Sequence, residues 1–297
     1  MAMDGPEVSL ILPTQGTRPS FARALRSALA QVFPSLEVIV IDDGPAGMDW
    51  RRQEETTRLL TDPRVRIIDL HQGRGCAAAK NVGLRAARGT WVCYLDDDNE
   101  YRPDKVRLQH ALGLDSGSLL VLCGIEVHVA GRRRRRQVDC SFFEGDELLL
   151  RALPDTNTLF HRRKMEVAWD ETIGTGDDAC FFQAFLASTG MRRVPNIGYP
   201  LVDYYAHSGP RMNCDHERVY RGARRLVVRW TGGYSVRARR ICLLRALVAS
   251  CKYRKGHWCR LIRVGITLLR TGGWREWRCV ANAIGVKVPF TRRMMIT

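Results

Sequence analysis

Three clusters of acidic residues are the part of this sequence best suited to chemistry. They are Asp42-Asp43, Asp96–Asp98 and Asp177-Asp178. A carboxylate can coordinate a cation, accept hydrogen bonds from hydroxyl groups or take up a proton. The three clusters could therefore divide three tasks: one orders a metal ion, another holds a ribose or a base, and the third acts as a general base.

The central cluster follows a short apolar run. Trp91–Leu95 has the length and the strand-favouring side chains of a buried strand, and Gly89 bounds it on one side. Pro103 stands where a first helical position would fall, and the segment after it has helical spacing. Asp96–Asp98 should then lie at the carboxyl edge of a sheet, which is where open α/β sheets bind their ligands.

Three adjacent carboxylates repel one another, and no basic residue follows them before Arg102. A divalent cation with oxygen ligands would relieve that repulsion. Mg²⁺ or Mn²⁺ suits a site built from carboxylates and the phosphates of a substrate. An acidic turn on the surface would explain the same residues without any ligand, so the cluster alone leaves both interpretations open.

The elements around these clusters predict an α/β fold with a mostly parallel central sheet covered by helices on both faces. Strand-like runs alternate with helical spacing along the first hundred residues; the runs are Val8–Leu12, Glu37–Ile41, Val65–Leu70 and Trp91–Leu95. Asp42-Asp43 and Asp96–Asp98 each close a parallel strand, so we expect both on one sheet edge. Asp177-Asp178 opens a later helix after a glycine-punctuated loop.

A hairpin is predicted further on, with strands Ile125–Val129 and Val138–Phe143 after a separate buried strand, Leu119–Cys123. Five consecutive arginines, Arg132–Arg136, would sit at the tip of this hairpin. They are either charges solvated by water at a loop tip or a contact for an anion or a membrane surface.

The net charge of +16 is distributed unevenly. From Glu217 to the end there are 20 lysines and arginines against two acidic residues, whereas the remainder carries a net charge of −2. We therefore predict a domain at 1–215 and a basic helical region at 216–297. The apolar residues of that region recur at helical spacing. Its helices would lie on an anionic membrane surface or pack on the first domain with their arginines in water.

The chain opens without a basic segment typical of a signal peptide, and no apolar stretch approaches the ~18 residues of a spanning helix. The ten cysteines include no C-x-x-C pair, which is typical of scattered thiols in a reducing compartment. We therefore expect a cytoplasmic protein, with peripheral attachment to the inner face of the membrane as the option that the basic region leaves open.

Three stretches, in this order, carry the acidic clusters: PTQGTRPSFARALRSALAQVFPSLEVIVIDDGP, GRGCAAAKNVGLRAARGTWVCYLDDDNEYRPDKV and WDETIGTGDDACFFQAF. Together they resemble the opening, the Asp-x-Asp strand with its preceding helix, and the acidic catalytic loop of family 2 glycosyltransferases, which are inverting enzymes of the Rossmann-like GT-A fold. The resemblance covers most of residues 7–210. Three motifs in the right order are far more specific than one.

The resemblance implies a site for a nucleotide-sugar. Pro13 and Thr14 would lie under the nucleotide, Asp43 would contact its base, and Asp97 would lie near the ribose. Lys80 falls where the family often carries a basic residue, and it would join the donor site. The alternative for Lys80 is an ordinary lysine on a helix surface.

The resemblance also implies the catalytic parts. Asp96 and Asp98 would be the outer members of the Asp-x-Asp motif and the ligands of Mg²⁺ or Mn²⁺, with Asp98 holding the ion. Asp178 would be the general base. The usual Glu-Asp pair appears here as two aspartates, so Asp177 remains open for that role. His207 could reach the metal or the diphosphate, or it is merely a loop residue.

These parts predict an inverting transfer of a sugar from a nucleotide-diphosphate sugar to an acceptor hydroxyl, on a sugar, lipid-linked or small-molecule acceptor, as in the assembly of cell-surface glycans. A nucleotidyltransferase is one alternative, although PTQGTRPS is only weakly glycine-rich. A basic nucleic-acid-binding protein is another. The tryptophans of the basic region stand at helical spacing beside leucine and isoleucine, unlike the stacking pattern of single-strand binders, so nucleic acid is a disfavoured partner.

Overall fold

The computed structural model describes residues 5–45, 51, 53–70, 73–137, 139–152, 154–173 and 176–206, and then 222, 225, 226, 229, 233–239, 241 and 242. The chain divides into two units, Met1–Pro210 and Arg211–Thr297. The domain boundary near Asp215 stays a prediction. The helices predicted after Glu217 fall almost entirely outside the described residues, and so does His207.

The first unit opens with alternating strands and helices. In chain order these are β1 (Val8–Thr14), α1 (Phe21–Leu29), β2 (Leu36–Asp42), α2 (Glu54–Leu60), β3 (Val65–Asp69), α3 (Cys76–Ala86) and β4 (Trp91–Tyr94). The four strands pair in the order β3-β2-β1-β4, and every pair is parallel. All residues of β1, β2 and β4 are buried, as expected of continuous apolar runs covered on both faces. The predicted α/β fold class is confirmed.

The second half of the unit extends the same sheet. Its elements are β5 (Glu100–Tyr101), α4 (Lys105–Asp115), β6 (Leu120–Val129), β7 (Arg132–Arg136), β8 (Phe142–Glu144), α5 (Glu147–Leu150), a 3₁₀ helix (Thr156–Thr158), β9 (Phe160–Arg162), α6 (Asp177–Thr189) and β10 (Arg193–Ala206). From β4 the sheet continues through β9, β6, β10 and β5. Strand β9 is antiparallel to both β4 and β6, whereas β10 runs parallel to β6.

The predicted hairpin was wrong in its second strand. The arginines do not sit at a tip: Arg132–Arg136 is itself the return strand, paired antiparallel with residues 125–129. Ala130 and Gly131 both have positive φ and form a two-residue turn, so the chain turns back before the arginines begin. Of the predicted strand Val138–Phe143, the structure describes residues 139–143, and among these only Phe142 and Phe143 are in a strand, β8, which pairs with β10. The runs predicted as two strands before the turn form the single strand β6.

Helix α3 lies unusually close to β1. A Cβ atom added at Gly83 would come within 2.4 Å of Cγ2 of Ile11, so only a glycine allows this approach. Lys80 precedes Gly83 by three residues and therefore shares its face of the helix. The packing that brings α3 onto the sheet thus also turns Lys80 towards the interior, where it is 2% exposed.

Candidate active site

The ends of β1 and β4 are joined at the carboxyl edge of the sheet. The hydroxyl of Thr14 donates a hydrogen bond of 2.8 Å to Oδ2 of Asp97, and Thr14 Oγ1 accepts one of 3.0 Å from the backbone N–H of Gly16. Pro13, one residue earlier, pairs in register with Ile41 of β2. The structure therefore brings Pro13, Thr14 and Asp97 to one place, as expected from parallel strands whose ends share an edge.

Asp43 lies on the same edge and is 2% exposed. Its two carboxylate oxygens accept hydrogen bonds from the backbone N–H groups of Arg74 and Gly75, at 2.8 and 2.7 Å. Asp43 thereby fixes the loop that leads into α3. Its neighbour Asp42 instead accepts a hydrogen bond of 2.6 Å from Arg51.

Asp96–Asp98, called the acidic loop below, follows β4 and has a cationic partner from far away in the sequence. The guanidinium of Arg18, in the loop between β1 and α1, contacts Asp98 through Nη1 and lies 3.5 Å from Asp97 through Nε. Arg23 of α1 adds a hydrogen bond of 3.1 Å to the backbone carbonyl of Asp98. The repulsion between the carboxylates is therefore partly relieved by arginine, which the sequence argument did not foresee.

Asp96 is held from the other side by the 3₁₀ helix. Asn157, with no exposed surface, accepts a hydrogen bond of 2.8 Å from the backbone N–H of Asp96 and donates one of 3.1 Å to its Oδ2. Asp155 caps this short helix and accepts from the same Asn157 amide at 2.6 Å. Burial raises the pKa of Asp96 to about 7, against the lowering effect of Lys80 and with a further increase from Asp98.

Lys80 is the cation at the centre of the site. Its ammonium donates to Oγ1 of Thr156 at 2.9 Å and to Oδ2 of Asp177 at 3.2 Å, and it lies 4.0 Å from the ring centroid of Trp169. Burial alone would lower the pKa of Lys80, but the surrounding acidic groups, Asp177 foremost, raise it well above its ordinary value. The lysine is therefore charged. The alternative of a lysine on a helix surface was wrong.

Asp177 and Asp178 occupy the first turn of α6, where the helix dipole favours negative charge. Their environments differ. Asp177 is paired with Lys80, whereas Asp178 is half-buried and accepts a hydrogen bond of 2.7 Å from the backbone N–H of Ala179. Burial raises the pKa of Asp178 to about 8, and the charge of Asp177 contributes further. Two adjacent carboxyl groups thus have different partners: Asp177 has a buried ammonium, and Asp178 a backbone N–H.

Another group of side chains, separate from the acidic loop, has ligand atoms close enough together to hold a metal ion. Single ligand atoms of Glu126, His128 and Asp203 lie within 4.8 Å of one another. Arg102 already donates to both carboxylates, at 2.7 and 3.0 Å, and Arg135 donates to Glu126 at 3.1 Å. Burial would raise the pKa of Asp203, yet hydrogen bonds from Arg102 and His128 bring it below its ordinary value. Because two arginines balance two carboxylates, we interpret this group as an ion-pair network.

The structure brings part of the predicted site together around one lysine, whereas Asp43 bonds to the loop before α3. Lys80 interacts electrostatically with Asp96, Asp177 and Asp178, so the acidic loop and the start of α6 face a common cation. Sequence reasoning missed several residues that contact the predicted ones: Arg18, Arg23, Asp155, Thr156, Asn157 and Trp169. Only Asp155 left a signal in the sequence, because an Asp three residues before a Thr can form a capping box.

Solved structures share this fold. The chain resembles S. aureus TarS 1-349 in complex with UDP-GlcNAc, with a TM-score of 0.66 at 16% identity over 94% of this chain and 80% of that one. It also resembles the mannosyltransferase PcManGT from Pyrobaculum calidifontis in complex with GDP-Man and Mn²⁺, with a TM-score of 0.55 at 20% identity over 95% of this chain and 86% of that one. The fold is that of the GT-A class.

Within that class the family is shown by sequence. Residues 9–186, more than half of the chain, match the model described as Glycosyl transferase family 2. The chain belongs to this family. It is 30% identical over 212 residues to the succinoglycan biosynthesis protein ExoO of Rhizobium meliloti, covering 65% of this chain and 60% of ExoO.

It is also 32% identical over 104 residues to the teichuronic acid biosynthesis glycosyltransferase TuaG, described as putative, of Bacillus subtilis, covering 35% of this chain and 40% of TuaG. The chain therefore spans less than two thirds of the length of these relatives.

The raised pKa of Asp178 predicts a pH dependence of stability. Unfolding would return this carboxyl group to its ordinary pKa of 3.8, so between about pH 4 and pH 8 the unfolded chain binds fewer protons than the folded one. This contribution therefore makes the free energy of unfolding fall as the pH rises, by up to about 1.4 kcal/mol per pH unit. In Asp178→Asn this contribution is absent.

Urea denaturation from pH 5 to pH 8 measures the difference. The free energy of unfolding of Asp178→Asn minus that of the wild type should increase with pH across this range. Asp104→Asn, which removes an exposed carboxylate beside Arg107, is the control for the loss of one negative charge. A flat difference for Asp178→Asn would show that the folded protein does not raise the pKa of this group.

Proposed function

We propose that the chain is an inverting, metal-dependent glycosyltransferase that moves a sugar from a nucleotide-diphosphate sugar to an acceptor hydroxyl. The observation that carries the proposal is the meeting of the acidic loop and the start of α6 around buried Lys80, next to the joined ends of β1 and β4. Two proteins of similar fold hold UDP-GlcNAc and GDP-Man, which supports a nucleotide-sugar as the donor.

The donor would lie along the carboxyl edge of the sheet. Pro13 and Thr14 would support the nucleotide, Asp43 its base and Asp97 its ribose. The hydrogen bond between Thr14 and Asp97 supports this assignment, because it makes one continuous surface of two strand ends. Lys80 points to Asp177 and Thr156, so in this proposal it serves the donor site through those residues.

The donor set fits Mg²⁺ or Mn²⁺. Asp96 and Asp98 would hold the ion, since hard divalent cations prefer carboxylate oxygens. The pKa of Asp96, raised to about 7 by burial, is consistent with a carboxylate that gains most from a nearby cation. A bound divalent ion would stabilise negative charge on the departing diphosphate.

The transfer step is assigned to Asp178. Its carboxylate would take the proton of the acceptor hydroxyl while the acceptor oxygen bonds to the anomeric carbon, and the bond to the diphosphate breaks with its electron pair going to the diphosphate. Attack from the face opposite the leaving group inverts that carbon. Asp178 suits this role better than Asp177, because Asp177 is committed to Lys80 and because burial raises the pKa of Asp178, which makes its carboxylate a stronger base.

Asp178→Asn should keep donor binding and lose transfer. Removal of a general base costs about two to four orders of magnitude in rate. With a nucleotide-sugar and its acceptor, kcat should collapse while the KM for the donor changes little. Asp177→Asn is the matched comparison, which we expect to act mainly on stability because it leaves Lys80 without its carboxylate partner. If Asp177→Asn abolishes turnover and Asp178→Asn does not, the base has been assigned to the wrong residue.

The basic region 216–297 would hold the enzyme at an anionic membrane surface. Its net charge from Glu217 onwards is +18, beside apolar residues at helical spacing. In the part of the chain that the structure covers, no helix has both the length and the apolar character needed to cross a bilayer. An acceptor carried on a lipid, in the assembly of a cell-surface glycan, would suit such attachment. The names of the relatives in succinoglycan and teichuronic acid biosynthesis support that setting.

Flotation of the full-length protein with vesicles tests this attachment. Each basic residue near an anionic surface contributes about 1 kcal/mol, so the protein should float with phosphatidylglycerol-containing vesicles at low salt. It should sediment with purely phosphatidylcholine vesicles and detach as salt screens the charges. Absence of flotation on anionic vesicles at low salt would rule out the membrane role and favour helices packed within the protein.

A further inference from the structure

The contact between Arg18 and the acidic loop has no role in the steps above. Arg18 touches Asp98 and lies 3.5 Å from Asp97, so one guanidinium spans two of the three carboxylates. Asp98 is also a residue that the proposed function assigns to the metal. A divalent ion and Arg18 would then compete for the same carboxylate, and as like charges they would repel each other across it.

Arg18 is better placed to leave than its neighbour Arg23. The side chains of Arg18 and Arg23 are similarly exposed, at 34% and 38%, but Arg18 belongs to the loop between β1 and α1. Arg23 lies within α1 and is fixed by a salt bridge of 3.0 Å to Glu100 and by the ring of Tyr205, whose centroid is 4.1 Å away. Only Arg18 of these two arginines contacts the carboxylates of the acidic loop.

The loop that carries Arg18 begins at the predicted donor position. Arg18 follows Thr14 by four residues, and Thr14 is already bonded to Asp97. A guanidinium released there would face the diphosphate of the donor, and arginine binds phosphate oxygens through two parallel hydrogen bonds. After losing its contact with the carboxylate of Asp98, Arg18 would thus lie beside the diphosphate of the donor.

Resting on the proposed function, we propose that Arg18 is an exchangeable counter-ion. It neutralises the acidic loop while the donor is absent, yields Asp98 to the divalent ion, and then binds the diphosphate of the incoming nucleotide. Binding of the metal and of the nucleotide is coupled through this exchange. The divalent ion needs Asp98 and the diphosphate needs Arg18, so each of them breaks the contact between Arg18 and Asp98 and makes the other easier to bind.

Calorimetry on Arg18→Met tests both halves of the exchange without any activity assay. MnCl₂ alone should bind at least about tenfold more tightly than to the wild type, because the competitor is gone. UDP or GDP at saturating Mn²⁺ should bind at least about tenfold more weakly, because a charge-assisted hydrogen bond is lost. Arg107→Met is the matched control: it removes the same charge from an exposed ion pair with Asp104 and should change neither affinity.

The outcomes separate this inference from the proposed function. A wild type that binds UDP or GDP with Mn²⁺, together with an Arg18→Met variant of unchanged Mn²⁺ affinity, would overturn the exchange and leave the transferase proposal standing. Weaker binding of both Mn²⁺ and the nucleotide in Arg18→Met would also overturn it, since Arg18 would then support the metal site. A wild type that binds neither nucleotide under any condition would overturn the proposed function itself.

Discussion

The ion pair between the buried ammonium of Lys80 and Asp177 is the interaction on which the site depends. An isolated lysine with 2% exposure would lose its hydration at a cost of several kcal/mol, and a group of aspartates in the same place would repel one another. Together the opposite charges compensate. The same ammonium donates to Thr156, so one side chain fastens α3, the 3₁₀ helix and α6.

This arrangement gives neighbouring carboxylates unequal properties. Asp177 is tied to Lys80, whereas burial raises the pKa of Asp178 to about 8, which makes its carboxylate a stronger base than an ordinary aspartate. Asp96 lies beyond the same lysine, bonded to Asn157, with its pKa raised to about 7. A single cation thus interacts with both the acidic loop and the start of α6, where the metal and the base are proposed.

Local patterns in the sequence predicted the sheet edge well. Apolar runs predicted β1, β2 and β4, of which β2 and β4 lead into aspartates, and parallel pairing places the ends of the three strands at one edge. The five arginines show the limit of such reasoning, because a positive-φ turn at Ala130 and Gly131 decided that they form a strand. Charge compensation was harder still: Arg18 reaches Asp98 across 80 residues, and Asn157 reaches Asp96 across 61. The residues next to Asp96 and Asp98 in the sequence do not indicate which distant side chain each aspartate contacts.

Comparison of Lys80→Met with the wild type tests most directly whether charge at Lys80 organises the site. Urea denaturation of the full-length protein at pH 8 should show a loss of about 3–5 kcal/mol, because buried carboxylates are left unpaired. At pH 5 the loss should be clearly smaller, since Asp96 and Asp178 are then protonated in the folded state and need no cation. A free energy of unfolding that is unchanged or increased at both pH values would contradict the account, because Lys80 would then be replaceable by any apolar side chain of its size.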